Sequence, residues 1–169
     1  TQTVQWKYVS PDDMGRNEGD IIIEKILKDA LIRINPEIRA IPERADEVIY
    51  KLRAILLSVN DVGLVKANEE FTKWLQGEKT MPFGENNQHV PVRLIDFEKL
   101  SNNSFIATNQ YKIVRGVTKI PDMVLIINGI PVIVGEFKTP VRPSISWLDG
   151  AVQIHDDYEN TVPELFVPN

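Results

Sequence analysis

The sequence predicts a mixed α/β (α+β) domain. Three observations carry that class: helical periodicity in the first half, β-branched runs after Pro91, and an Asn-Gly pair between two of those runs. In the first helix Ile23, Ile26, Leu27, Ala30, Leu31 and Ile34 recur at spacings of three and four, and Pro36 ends the pattern. A second helix spans about residues 45–58, with Val48, Ile49, Leu52, Ile55 and Leu56 inward. A third spans about 64–75 through Leu64, Ala67, Phe71, Trp74 and Leu75, and Gly77 follows as its stop. Residues 77–91 read as a turn-rich surface connection.

Strand signals follow. Residues 92–97 alternate like a strand, and 104–114 read as another through Phe105, Ala107 and Tyr111. Residues 123–127 and 130–134 flank Asn128-Gly129, the strongest short-range hairpin signal. These runs are apolar at nearly every position, so both sheet faces are expected to be covered. Pro140 and Pro143 end the second run. A short helix is expected over 147–158, with Ser146 as N-cap and Asp149 as its acidic partner. Residues 165–167 read as one more short strand. There is no internal repeat or interdomain linker, so residues 1–169 are expected to form a single domain.

Composition narrows the function. The chain has no Cys and two His, His89 and His155, which excludes thiol catalysis, a disulfide framework and a Cys- or His-rich zinc site. No apolar run approaches the roughly 18 residues of a membrane span, and no signal-peptide pattern opens the chain, so a cytoplasmic location without membrane partners is expected. The net charge is −5, which by itself argues against an autonomous nucleic-acid binder. Nor is there a phosphate-cradling Gly-rich loop: Gly77-Glu78-Lys79-Thr80 lacks the spacing.

The chemistry concentrates at the hairpin. Asp122 opens its first strand, after Pro121, and Glu136 and Lys138 lie near the end of its second, two residues apart and hence on one face. Three charges beside so apolar a hairpin are costly unless solvated or bound. Two carboxylates suit Mg²⁺, which keeps several waters and phosphate oxygens in its shell, and an adjacent ammonium can stabilise developing charge. An exposed ion pair at a strand end is the plainer alternative. Register separates the two. A regular two-residue Asn128-Gly129 loop sets Asp122 opposite Gly135, facing away from Glu136, whereas a three-residue loop or a bulge near Gly135 restores a shared face. One such irregularity, or Asp122 lying outside regular pairing, is therefore expected.

The segments Ile120-Pro121-Asp122-Met123-Val124-Leu125 and Gly135-Glu136-Phe137-Lys138-Thr139-Pro140 resemble the PD-(D/E)xK nuclease motif. More particularly they resemble the N-terminal nuclease domain of type I restriction enzyme R subunits. Asn109-Gln110, Asn128-Gly129-Ile130-Pro131, Gln153, and Pro163-Glu164-Leu165-Phe166 with Asn169 fall where that family has them, as do Asn35-Pro36 and Leu94-Ile95-Asp96-Phe97. The resemblance implies a restriction-endonuclease-like mixed β-sheet flanked by helices. It also implies Mg²⁺-dependent endonucleolytic cleavage of double-stranded DNA. Asp122, Glu136 and the Phe137 backbone carbonyl would hold the metal and Lys138 would assist the attacking water. Gln153 matches a catalytic glutamine that follows the motif. Its usual tyrosine companion comes four residues later, whereas Tyr158 comes five later. Five α-helical steps rotate about 140° off the starting face, so either Tyr158 serves the site less directly or the helix has ended before it, and packing at the helix end is an equally weighted role. The wider fold often adds an acid from the first helix. Asp20, Glu24 and Glu18 are the candidates, with Glu24 preferred.

Lys112, Arg115, Lys119 and Arg142 flank the motif and, with Tyr158, are candidate DNA contacts. Trp6, Trp74 and Trp147 have no basic interleaving around them and read as packing residues. The resemblance further implies that ATP is used only by a translocase region of the R subunit outside this chain, working with modification and specificity subunits. Weak duplex binding by these 169 residues alone is then expected. Two alternatives stay open: a non-cleaving docking domain with a nuclease-like fold, and a repair nuclease of the same superfamily.

Overall fold

The computed structural model describes residues 4–138 and 146–169. It is a mixed α+β arrangement. Strand β1 (Lys7–Tyr8) is followed by helices α1 (Glu24–Ile34), α2 (Pro36–Ala40), α3 (Arg44–Val62) and α4 (Leu64–Leu75). Next come β2 (Thr80–Met81), β3 (Val90–Pro91), β4 (Phe105–Asn109), β5 (Ile113–Arg115), β6 (Val117–Lys119), β7 (Met123–Ile127), β8 (Ile130–Gly135) and helix α5 (Trp147–Val152). The main sheet has the order β1-β4-β7-β8, and β2/β3 and β5/β6 form separate two-stranded ribbons. β1 runs parallel to β4 while β4, β7 and β8 are mutually antiparallel, so the sheet is mixed.

The three long helices form where the apolar spacing places them. α3 runs four residues past its expected end because Val59 extends the buried face, and Gly63 at φ 84° stops it. α4 ends at Leu75, with Gly77 at φ 74° just beyond. Leu27, Leu31, Val48, Leu52 and Phe71 are fully buried in one core that also takes Ile106, Val124, Ile126 and Ile130 from the sheet. Each such side chain contributes roughly 1.5–3 kcal/mol by leaving water.

Four expectations need correction. Residues 92–97 do not form a strand. Their burial follows the predicted alternation at Val92 and Leu94, but asparagine side chains take the place of a neighbouring strand. Asn35 accepts from the Arg93 amide and donates to its carbonyl, Asn128 donates to the Leu94 carbonyl, and Asn103 brackets the Asp96 backbone on both sides. These amides offer a donor and an acceptor each, as a ladder neighbour would. The expected strand over 104–114 breaks at Gln110, whose φ of 48° turns the chain so that Tyr111 enters the core and donates to the Ile21 carbonyl. Residues 165 and 166 belong to a 3₁₀ turn, Pro163–Phe166, that Val167 caps, because Pro163 suits the first turn of a helix. Finally, the sheet is not equally covered on both faces. Ile106, Thr108, Val124 and Ile126 are buried, whereas Ile133 on the opposite face is half exposed.

The β7–β8 turn is the point where sheet and helices lock. Asn128 (φ 51°) and Gly129 (φ 83°) form the two-residue loop. Asn128 is fully buried and bonds Leu94, Asn103 and Ser104, while the Gly129 carbonyl accepts the Ile23 amide at 2.8 Å at the start of α1. A Cβ on Gly129 would stand 2.5 Å from the Ile23 carbonyl oxygen. Gly129→Ala therefore combines a left-handed backbone with a backbone clash, and is expected to lower unfolding free energy by about 3 kcal/mol or more in chemical denaturation.

Asp96 supplies a pH signature. The Lys99 amide, then the Asn102 side chain and the Glu98 amide, hydrogen-bond its carboxylate and hold it below its ordinary 3.8. A depressed pKa adds stability that is complete above the unfolded value and lost as pH falls through the folded one. Acid titration of Asp96→Asn should therefore show a shallower loss of stability below about pH 3.8 than the parent.

Candidate active site

One extra residue in β8 builds the site. Ile127 pairs with Ile130 and Ile126 with Pro131, but Leu125 pairs with Ile133, leaving Val132 as a bulge. From there Met123 pairs with Gly135, which sets Asp122 level with Glu136. The irregularity expected from the sequence is present. It lies at Val132 rather than beside Gly135, and the loop itself keeps two residues.

Asp122 is held by two donors. The Phe137 amide donates to Oδ2 at 2.8 Å, and Gln110 Nε2 donates to Oδ1 at 3.2 Å. Glu136, whose side chain is only 7% exposed, closes a ring with three other side chains. Lys138 Nζ donates to Glu136 Oε1 at 3.0 Å and also to Gln153 Oε1. Gln153 Nε2 donates to the Tyr158 hydroxyl at 2.8 Å, and that hydroxyl donates to Glu136 Oε2 at 3.3 Å. Burial, with the Glu136 charge adding to it, pushes the Tyr158 hydroxyl up to about 12. It therefore stays protonated at physiological pH and remains a donor to Glu136.

The ring corrects the expectation for Tyr158. Ser146 and Asp149 form the predicted capping box and start α5, but the helix widens into a π-helical turn over Gln153–Tyr158. Such a turn closes i→i+5 bonds, so residues five apart return to nearly the same face. Lys119 Nζ anchors this turn through Asp157 at 2.5 Å. Gly150 of α5 is buried against the Glu136–Lys138 strand end, where a Cβ would make ordinary contact with Lys138 Cγ at 3.5 Å.

Other expected residues fall elsewhere. Glu24 is paired with Arg53 of α3 in a separate cleft lined by Asp20, Ile22, Leu56 and Arg115. Glu18 pairs with Lys112 at 3.0 Å. Arg115 binds Glu164 at 3.1 Å and the Gly19 carbonyl, so three of the expected DNA-contacting cations already have acidic partners. Arg142 lies outside the described residues. Gln110 was legible as a landmark but not as a partner of Asp122, because its reach depends on the left-handed turn that ends β4.

The donor set at the hairpin fits a hard divalent cation. Two carboxylates stand level at adjacent strand ends, and Mg²⁺ needs only one or two carboxylates with water completing its shell. Among the described residues no cluster of three or more His, Cys, Asp or Glu forms a fuller cage. No helix among them is long and apolar enough to cross a membrane.

Comparison with known proteins agrees with the whole-chain resemblance. The Haemophilus influenzae protein named type I restriction enzyme HindI endonuclease subunit is 32% identical over 99% of this chain and 16% of its own length. A Methanocaldococcus jannaschii protein, provisionally named type I restriction enzyme MjaIXP endonuclease subunit, is 28% identical over 89% of this chain and 15% of its own. The chain thus spans about a sixth of the length of these curated relatives. No solved structure matches it. The model of the type I restriction enzyme R protein N terminus matches residues 1–169, and with the hairpin site in its expected order the chain belongs to that family.

Proposed function

We propose that this chain is the Mg²⁺-dependent DNA endonuclease domain of a type I restriction enzyme. The observation that carries the reading is the bulge-set alignment of Asp122 with Glu136, beside a lysine fixed in place by Gln153. Asp122, Glu136 and the Phe137 carbonyl would hold Mg²⁺. Bound there, the metal supplies a water of lowered pKa and offsets charge on the attacked phosphate. The Lys138 ammonium would orient the attacking water and face the negative charge that grows in the transition state. Gln153 and Tyr158 fix Lys138 and Glu136 from one helical face. Tyr158 thus acts through Glu136 rather than as a DNA contact.

DNA delivery is assigned to other regions. The net charge is −5, and Lys112, Arg115 and Lys119 are each neutralised by a carboxylate. Affinity for duplex DNA scales with unpaired cations that displace counterions. We assign it to an ATP-driven translocase region of the R subunit and to its modification and specificity subunits, acting in the cytoplasm. The non-cleaving docking alternative is disfavoured because both carboxylates and the lysine of the motif, Asp122, Glu136 and Lys138, are present.

The test is cleavage by the complete restriction complex. Glu136→Ala, Asp122→Ala and Lys138→Ala should each reduce DNA cleavage by at least about 100-fold, while ATP hydrolysis driven by translocation persists. A complex carrying Glu136→Ala that still cuts while translocating would contradict the assignment.

The π-helical turn yields a separate expectation. Deleting His155 leaves Gln153 and the tyrosine four residues apart, the spacing that an ordinary α-helix superposes. Cleavage should survive this deletion far better than it survives Tyr158→Phe combined with Gln153→Ala.

A further inference from the structure

We propose that Gln110 is a positioning residue for Asp122, a role that rests on Asp122 being a metal ligand. Three features of Gln110 converge. It follows the last residue of β4, and its amide donates to the Asp122 carbonyl at 3.2 Å, so it sits across from Asp122 where the ladder ends. Its Nε2 donates to Asp122 Oδ1 at 3.2 Å. Its backbone is left-handed at φ 48°, a conformation that side chains other than glycine and asparagine rarely adopt.

The turn alone does not require glutamine. Glycine would make it without steric cost and would still send Tyr111 into the core. What glycine cannot supply is the donor on Oδ1. The Phe137 amide occupies one Asp122 oxygen, and Gln110 holds the other. Together they fix the carboxylate plane before a cation arrives, leaving further lone pairs on both oxygens to face it. Hydrogen bonds to ligating carboxylates set ligand orientation, and their loss typically weakens metal binding by about 10–100-fold.

Backbone and side chain are separable here, and that makes the test decisive. Mn²⁺ alone is titrated against the full 169-residue chain, following free Mn²⁺ by electron paramagnetic resonance. The variants are Gln110→Gly, Gln110→Met and Asp122→Ala, and each denaturation midpoint is measured in parallel. Gln110→Gly should match or exceed the parent midpoint, because glycine accepts the left-handed turn, yet bind Mn²⁺ about tenfold more weakly or worse. Gln110→Met, which keeps the length of the side chain without its donor, should show the same loss of affinity. Parental Mn²⁺ affinity in both position-110 variants, with binding abolished in Asp122→Ala, would overturn the role of Gln110 alone. Affinity that falls only in step with the denaturation midpoint would also overturn it, by making the contact structural. A parent chain that takes up no Mn²⁺, or Asp122→Ala with unchanged affinity, would instead remove the metal-site reading on which this role stands.

Discussion

Val132 has no partner across β7, and the site depends on that one unpaired residue. A two-residue turn at Asn128-Gly129 dictates where pairing starts. Without the bulge it would carry Asp122 to the wrong side of the sheet. Strand side chains alternate with a period of two, so inserting one residue exchanges the faces beyond it. The turn that starts the register is itself immobilised by Asn128 in the core and by Gly129 against the start of α1. Packing of the helical half thus reaches the carboxylates through a short rigid path: helix start, turn, bulge, strand end.

The local electrostatics follow from the same placement. Glu136 is nearly buried, which disfavours its charge unless partners compensate. Lys138 and Tyr158 supply them from two directions, and Gln153 couples one to the other. Asp122 is compensated separately, by one backbone and one side-chain donor. The two acids therefore rest on distinct supports. Lys112, Arg115 and Lys119 are each spent on an intramolecular carboxylate, in keeping with the proposal that a chain of net charge −5 acts on DNA delivered to it by other regions.

Much of this was legible in the residues. Helical periodicity located α1, α3 and α4, Asn-Gly located the hairpin, and the spacing of Asp122 to Glu136 demanded an irregular register. What was not legible came from side chains acting as backbone. The alternation over 92–97 recorded burial at Val92 and Leu94, but three asparagines took the part of the neighbouring strand. Gln110 ended a strand that its apolar pattern would have continued. Tyr158 failed a geometric test that assumed 3.6 residues per turn, whereas the helix widens at that point. In each case a hydrogen-bonding partner outside the apolar pattern decided the geometry.

The central claim is that Asp122 and Glu136, brought level by the bulge, form one cation site with the Phe137 carbonyl. Anomalous diffraction from crystals soaked in Mn²⁺ tests it most directly. The account predicts a single strong peak within coordination distance, about 2.0–2.3 Å, of oxygens from both carboxylates and the Phe137 carbonyl. No peak at the hairpin under saturating Mn²⁺, or a peak only in the cleft of Asp20 and Glu24, would contradict it.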